Sequence, residues 1–153
     1  MENLSYFQHQ VRTLQRLLDA TCDRRVCAVG TTCTGKSTLV KSLREVYDMD
    51  DLLFPLLTPA EQRYVCQDPW TPEIGREMVR LTRERLHIES GKPVFGTVVL
   101  ESELLIHLRI SEYLLRQRTR ARNKNYEDVR NMQEQIEQEV KSSGIHTIEF
   151  IVG

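Results

Sequence analysis

The densest concentration of chemistry in this 153-residue chain lies between Gly30 and Thr38. The run Gly30-Thr31-Thr32-Cys33-Thr34-Gly35-Lys36-Ser37-Thr38 spells G-x-x-x-x-G-K-S with one more hydroxyl behind it. Two glycines at that spacing let the backbone turn tightly, so that successive N–H groups converge on one concavity. A helix starting at the second glycine adds its own unpaired N–H groups and the positive end of its dipole. Lys36 can reach the terminal phosphates as a point charge, and the Ser37 hydroxyl can ligate Mg2+. These nine residues predict a loop that binds ATP with Mg2+. Cys33 sits where helix N–H groups can lower a thiol pKa; the plainer alternative is a small residue at a variable loop position.

Other side chains have chemistry that suits such a loop. Arg116, Arg118, Arg120 and Arg122 form two i,i+4 pairs on one predicted helix. They either stabilise phosphoryl charge or form a solvated basic face balanced by Glu127, Asp128 and Glu134. Asp50 and Asp51 could lie near an acceptor or Mg2+, or serve as a general base; as an Asp pair they could equally form a turn. Glu101 ends the apolar run Val98-Val99-Leu100 and could orient Mg2+ through water, or simply begin a turn. His107 lies among apolar residues and reads as a strand histidine without a catalytic role.

These residues need elements to hold them. Leu4, Phe7, Val11, Leu14, Leu17 and Leu18 recur with a helical period, which predicts an opening helix to Ala20. A strand is expected near Val26–Val29, then the loop, then a helix to about Tyr47. Leu52–Leu57 is too apolar for a free loop and, with Pro55, too interrupted for a central strand. Thr58-Pro59 and Thr71-Pro72 both read as an N-cap followed by Pro at the first helical position. The second of these helices runs through Leu86 and ends by Gly91-Lys92-Pro93. Val94–Leu100 and Leu104–Ile110 are β-rich, yet only three residues separate them, whereas a parallel crossover takes about a dozen. Either Gly96–Leu100 is therefore connecting structure, or the two runs form an antiparallel hairpin. Ser111-Glu112 opens the Arg-rich helix, and Tyr126–Ser142 forms another with Val129, Met132, Ile136 and Val140 on one stripe. Gly144 stops it, and Ile145–Val152 is a final strand with no C-terminal helix expected over that edge of the sheet. Strands alternating with helices around such a loop predict one domain over residues 1–153, a three-layer α/β/α fold with a mostly parallel central sheet.

Composition narrows the partners. A net charge of −1 argues against a globally basic nucleic-acid binder, and the Arg stripe has only Tyr113 and Tyr126 interleaved. No apolar run approaches the ~18 residues of a membrane span. The first residues lack the features of a secretory signal, and Cys22, Cys27, Cys33 and Cys66 show no zinc-ligand spacing. Free thiols in the cytoplasm, with a small-molecule nucleotide as partner, are the expectation, and a monomer is compatible with it.

Gly96-Thr97-Val98-Val99-Leu100, the following Leu104–Leu108 run, Ser111-Glu112 and Arg118 resemble, in that order, the cytidylate kinase family. Thr71-Pro72-Glu73-Ile74-Gly75-Arg76 is similar to a Pro-Glu-Ile-Asp-Arg stretch of its short members. The resemblance spans roughly residues 26 to 150 and implies a P-loop nucleoside monophosphate kinase. It implies catalytic roles for Lys36, Arg118 and Arg122, an Arg-rich lid over residues 111–125, and an acceptor phosphate held by Arg76. The acceptor would be a pyrimidine nucleoside monophosphate such as CMP or dCMP. Lys92-Pro93-Val94-Phe95-Gly96 stands where the family carries a Gly-Arg-Asp element. Two alternatives follow: a kinase of a nucleoside or other small hydroxyl compound, or a nucleotide-binding module without turnover.

Overall fold

Val26–Val29 (β1) is four consecutive buried apolar residues, which is what a strand covered on both faces requires. It lies at the centre of a five-stranded sheet in which every pairing is parallel. In the computed structural model, which describes residues 2–69 and 71–152, the strand order is β2-β3-β1-β4-β5. The partners are β2 (Tyr47–Asp48), β3 (Val94–Gly96), β4 (Leu104–Ile110) and β5 (Thr147–Val152).

Side chains of β1 alternate between two cores, as the pleat demands. Cys27 and Val29 join one cluster with Met49, Leu53, Ile74, Leu81, Ile136 and Val140. Val26 and Ala28 join another with Leu14, Leu18, Leu39, Leu43 and Val152. The second cluster is roofed by α1 (Glu2–Ala20) and α2 (Lys36–Ser42). The first is roofed by α3 (Met49–Leu53), α4 (Pro59–Val65), α5 (Pro72–Arg85) and α7 (Tyr126–Ser143). Helix α6 (Glu112–Ala121) packs Leu115 against Cys33, Ile110 and Val129. The result is an α/β fold of three layers.

Both Thr-Pro signatures start helices. The Thr58 hydroxyl accepts from Glu61 N–H and the Glu61 carboxylate from Thr58 N–H, a complete capping box, while Thr71 accepts from Ile74 N–H. Gly144, at φ 69°, ends α7 in a left-handed conformation. The stripe on α7 buries Val129, Ile136 and Val140. The side chain of Leu4 lies outside the described residues.

Two expectations need correction, the ends of α2 and α5, and two open readings are resolved, Leu52–Leu57 and the run from Val94. Helix α2 ends at Ser42, and Tyr47–Asp48 is an edge strand too short to show a period. Helix α5 ends at Arg85, before Leu86 and well ahead of Gly91. Leu52–Leu57 is the end of α3 and a 3-10 turn over Phe54–Leu56. The strand beginning at Val94 stops at Gly96, and there is no hairpin: β3 and β4 are parallel and lie on either side of β1. Residues 97–103 return between them across a sheet face, burying Val98, Val99 and Leu100 as a helix otherwise would. The Cys27 thiol donates to Val98 O at 3.7 Å, and burial pushes its pKa up to about 12. The last strand is covered by the first helix: Gln10 Nε2 of α1 donates to Ile151 O at 2.9 Å, and α1 shares a core with Val152.

Candidate active site

In open parallel sheets, ligands gather where the strands end. Here β1 ends at Val29 and passes into the glycine-rich loop. Gly30 N–H donates to Gly96 O at 3.1 Å, tying the loop to the end of β3. A Cβ at Gly30 would meet Leu108 Cβ at 3.0 Å and Thr34 Oγ1 at 3.1 Å, so close packing asks for glycine. Thr31 Oγ1 donates to Val129 O at 3.1 Å, Thr32 Oγ1 lies 3.5 Å from Met132 Sδ, and Thr34 Oγ1 donates to Thr31 O. Cys33 (φ 71°) and Gly35 (φ 97°) are both left-handed. For a buried non-glycine such as Cys33 that conformation costs about 1–3 kcal/mol, held by the surrounding loop.

Lys36 opens α2 and folds back over this loop. Its Nζ donates to Gly30 O at 2.8 Å, Thr31 O at 2.6 Å and Thr34 Oγ1 at 3.2 Å. Burial lowers its pKa to about 8, against the upward pull of the Asp50 and Asp48 carboxylates. Ser37 and Thr38 are exposed in the first turn of the same helix. Arg118 reaches across from α6, and its Nη1 donates to Thr34 O at 2.6 Å. Burial, and then neighbouring Arg122, holds its pKa below the ordinary arginine value. Arg118 and Arg122 both line a cavity of about 250 Å³ beside Gly35 and Thr38.

Asp50 is brought within electrostatic reach of Lys36. Its pKa is raised by burial first and by Asp48 next, with Lys36 opposing. Asp48, which sequence reasoning missed, caps α3 by accepting from Asp50 N–H and Asp51 N–H. Its signal was its place beside the Asp pair. Asp51 is exposed on the first turn of α3. Arg76 lines a separate cavity of about 530 Å³ with Gly75, Thr97, Met132, Gln135 and Glu139. Met132 and Thr97 connect that cavity to the loop, through Thr32 and through the Gly30–Gly96 hydrogen bond.

Two candidates stand apart from this cluster. Glu101 is exposed and lies just before β4, at the end of the sheet where Val26 and Leu104 pair. Glycine-loop chemistry sits at the opposite end, so Glu101 is not placed to orient an ion held by Ser37. The expectation failed because the apolar run before it is connecting structure, not a strand. Arg116 is bound to Glu112 at 3.1 Å and stacks 4.6 Å from the centroid of the Tyr126 ring, which makes it an α6–α7 contact.

No family model matches this chain, and no curated protein matches it.

The residues alone therefore carry the chemistry. No group of three or more His, Cys, Asp or Glu able to hold a metal occurs among the described residues. The exposed Ser37 hydroxyl, next in the chain to a Lys36 within electrostatic reach of Asp48 and Asp50, fits Mg2+ in the way that ion is usually bound, through few protein oxygens, water and substrate phosphates. All four cysteines are free thiols, and among the described residues no helix is long and apolar enough to cross a membrane.

Proposed function

We propose that this chain transfers the γ-phosphoryl group of ATP to a nucleoside monophosphate. Arg76 carries the acceptor half of the reading. On α5, Arg80 pairs with Glu77 and Glu84, Arg83 with Glu139, and Arg85 with Glu61. Arg76 makes no ion pair or hydrogen bond among the described residues, yet it lines the cavity next to the loop. An unpaired guanidinium on a cavity wall suits a bidentate phosphate. The pyrimidine class and a cytoplasmic setting rest on sequence alone.

In this reading Lys36 exchanges its loop carbonyls for the terminal phosphates of ATP. Arg118, already above Gly35, stabilises charge that develops during transfer. The Ser37 hydroxyl would hold Mg2+, which when bound would supply neutralisation of phosphate charge. No side chain needs to act as nucleophile, because the acceptor phosphate oxygen is one already.

Asp50 beside Lys36 favours a second reading, in which the acceptor is a hydroxyl of a nucleoside or similar small molecule. A carboxylate with a raised pKa is the better proton acceptor, and a hydroxyl needs one. The two readings separate in one experiment, ATP and Mg2+ incubated with nucleosides and monophosphates and resolved by chromatography. A monophosphate kinase turns over monophosphates. Arg76→Ala should then raise their KM about tenfold or more with the KM for ATP unchanged, and Arg76→Lys should recover only part. A hydroxyl kinase instead fails with Asp50→Asn. ATP binding with no product from any acceptor would leave a non-catalytic nucleotide module.

A further inference from the structure

The cavity of about 250 Å³ beside α2 has a wall that phosphate chemistry does not use. Its lining includes Gly35 and Thr38 but neither Gly30 nor Lys36, so it lies beside the part of the loop where Lys36 marks the terminal phosphates. A triphosphate laid along the loop with its last group at Lys36 would have this space open to its nucleoside. Arg118 and Arg122 line it together with Phe7 and Gln10 of α1. The volume is near the lower end of small-ligand pockets, roughly 300 Å³ and upward.

The Gln10 amide is oriented by the fold. Its Nε2 donates to the carbonyl of Ile151, which fixes the other atom as the oxygen. That oxygen accepts no hydrogen bond among the described residues. Planar guanidinium groups stack on aromatic faces, and Phe7 offers a second flat surface.

The geometry points to α1 as the base-recognition wall of the nucleotide site. A base with an exocyclic amino group lies between the guanidinium groups and Phe7 and donates an amino hydrogen to Gln10 Oε1. Adenine meets that requirement; hypoxanthine, with a carbonyl oxygen in place of the amino group, does not. The inference rests on the reading that the loop holds a nucleoside triphosphate.

The test measures equilibrium binding of ATP, ITP and inorganic tripolyphosphate, each with Mg2+. Wild-type protein should bind ATP about tenfold more tightly than ITP, and Gln10→Met should remove that preference. Phe7→Ala should weaken ATP about tenfold and leave tripolyphosphate unchanged. Phe7 packs partly on the core, so Ala121→Phe provides an independent variant. Ala121 is exposed and lines the same cavity, and a ring there should block ATP while sparing tripolyphosphate. Equal affinity of wild type for ATP and ITP overturns the role of Gln10. ATP binding unaffected by Phe7→Ala and Ala121→Phe overturns the α1 wall while leaving the phosphate loop standing. Failure of both ATP and tripolyphosphate to bind removes the loop reading and the inference with it.

Discussion

Lys36 is held by two loop carbonyls and a threonine hydroxyl, and burial brings its pKa down to about 8 from an ordinary 10.5. Bound polyphosphate would favour the charged form and raise that pKa. ATP binding should therefore take up protons near pH 8.5, and affinity should fall as pH climbs from about 8 toward 10. Calorimetry in buffers of different ionisation enthalpy reads the uptake, and Lys36→Met should abolish it along with most affinity. A flat affinity across that range would separate Lys36 from the phosphates. The stability effect has the opposite sense. A lysine whose pKa is lower folded than unfolded stays charged below about pH 8 at a cost to the folded state, and that cost is relieved as pH rises from about 8 toward 10.5. Lys36→Met should accordingly raise Tm more at pH 7 than at pH 10.

Helix α4 depends on a capping box whose acid is shared. The Glu61 carboxylate accepts from Thr58 N–H and from Arg85 of α5 at 2.7 and 2.8 Å, which brings its pKa down to about 2, the Arg85 hydrogen bond being the largest cause. A depressed carboxyl pKa contributes stability that is present above the unfolded value and lost as pH falls toward 2. The Tm gap between wild type and Glu61→Gln should hold at pH 7 and shrink from about pH 5 downward. Thr58→Ala should cost about 1 kcal/mol in urea titration. Such local signals explain what was legible in the sequence. Caps at Thr58, Thr71 and Ser111, the stripe on α7 and the buried run of β1 are each specified by near neighbours. Tyr47–Asp48 was not legible, because two residues carry no period and their pairing with Val94–Phe95 is remote. The site divides the same way. The loop can be read from its spelling, whereas Asp48 beside Lys36 and α1 beside Arg118 exist only once the sheet is assembled.

Both faces of the sheet are buried, so whole-molecule stability rests on two cores at once. Leu14 of α1 is fully buried between helix and sheet, and Leu14→Ala should destabilise the chain by about 2–5 kcal/mol, measured by urea unfolding. Gly96→Ala attacks the other core, since a Cβ there would fall 2.6 Å from Met49 Cβ and Sδ. It should cost about 1–3 kcal/mol through overpacking, in the same measurement. The order of strands has a consequence for synthesis. Among the described residues, the central strand β1 pairs with β3 and β4 and no other, and β2 with β3 alone. A growing chain therefore has no strand to pair with another until Val94 leaves the ribosome. Until then the apolar residues of β1, with Leu14 and Leu18 before them, lack the sheet that later covers them. Long-range pairing of this kind is slow and exposes apolar surface to aggregation. The nascent chain should be a client for chaperones from the synthesis of β1 onward, and release from them should follow the emergence of β3 and β4.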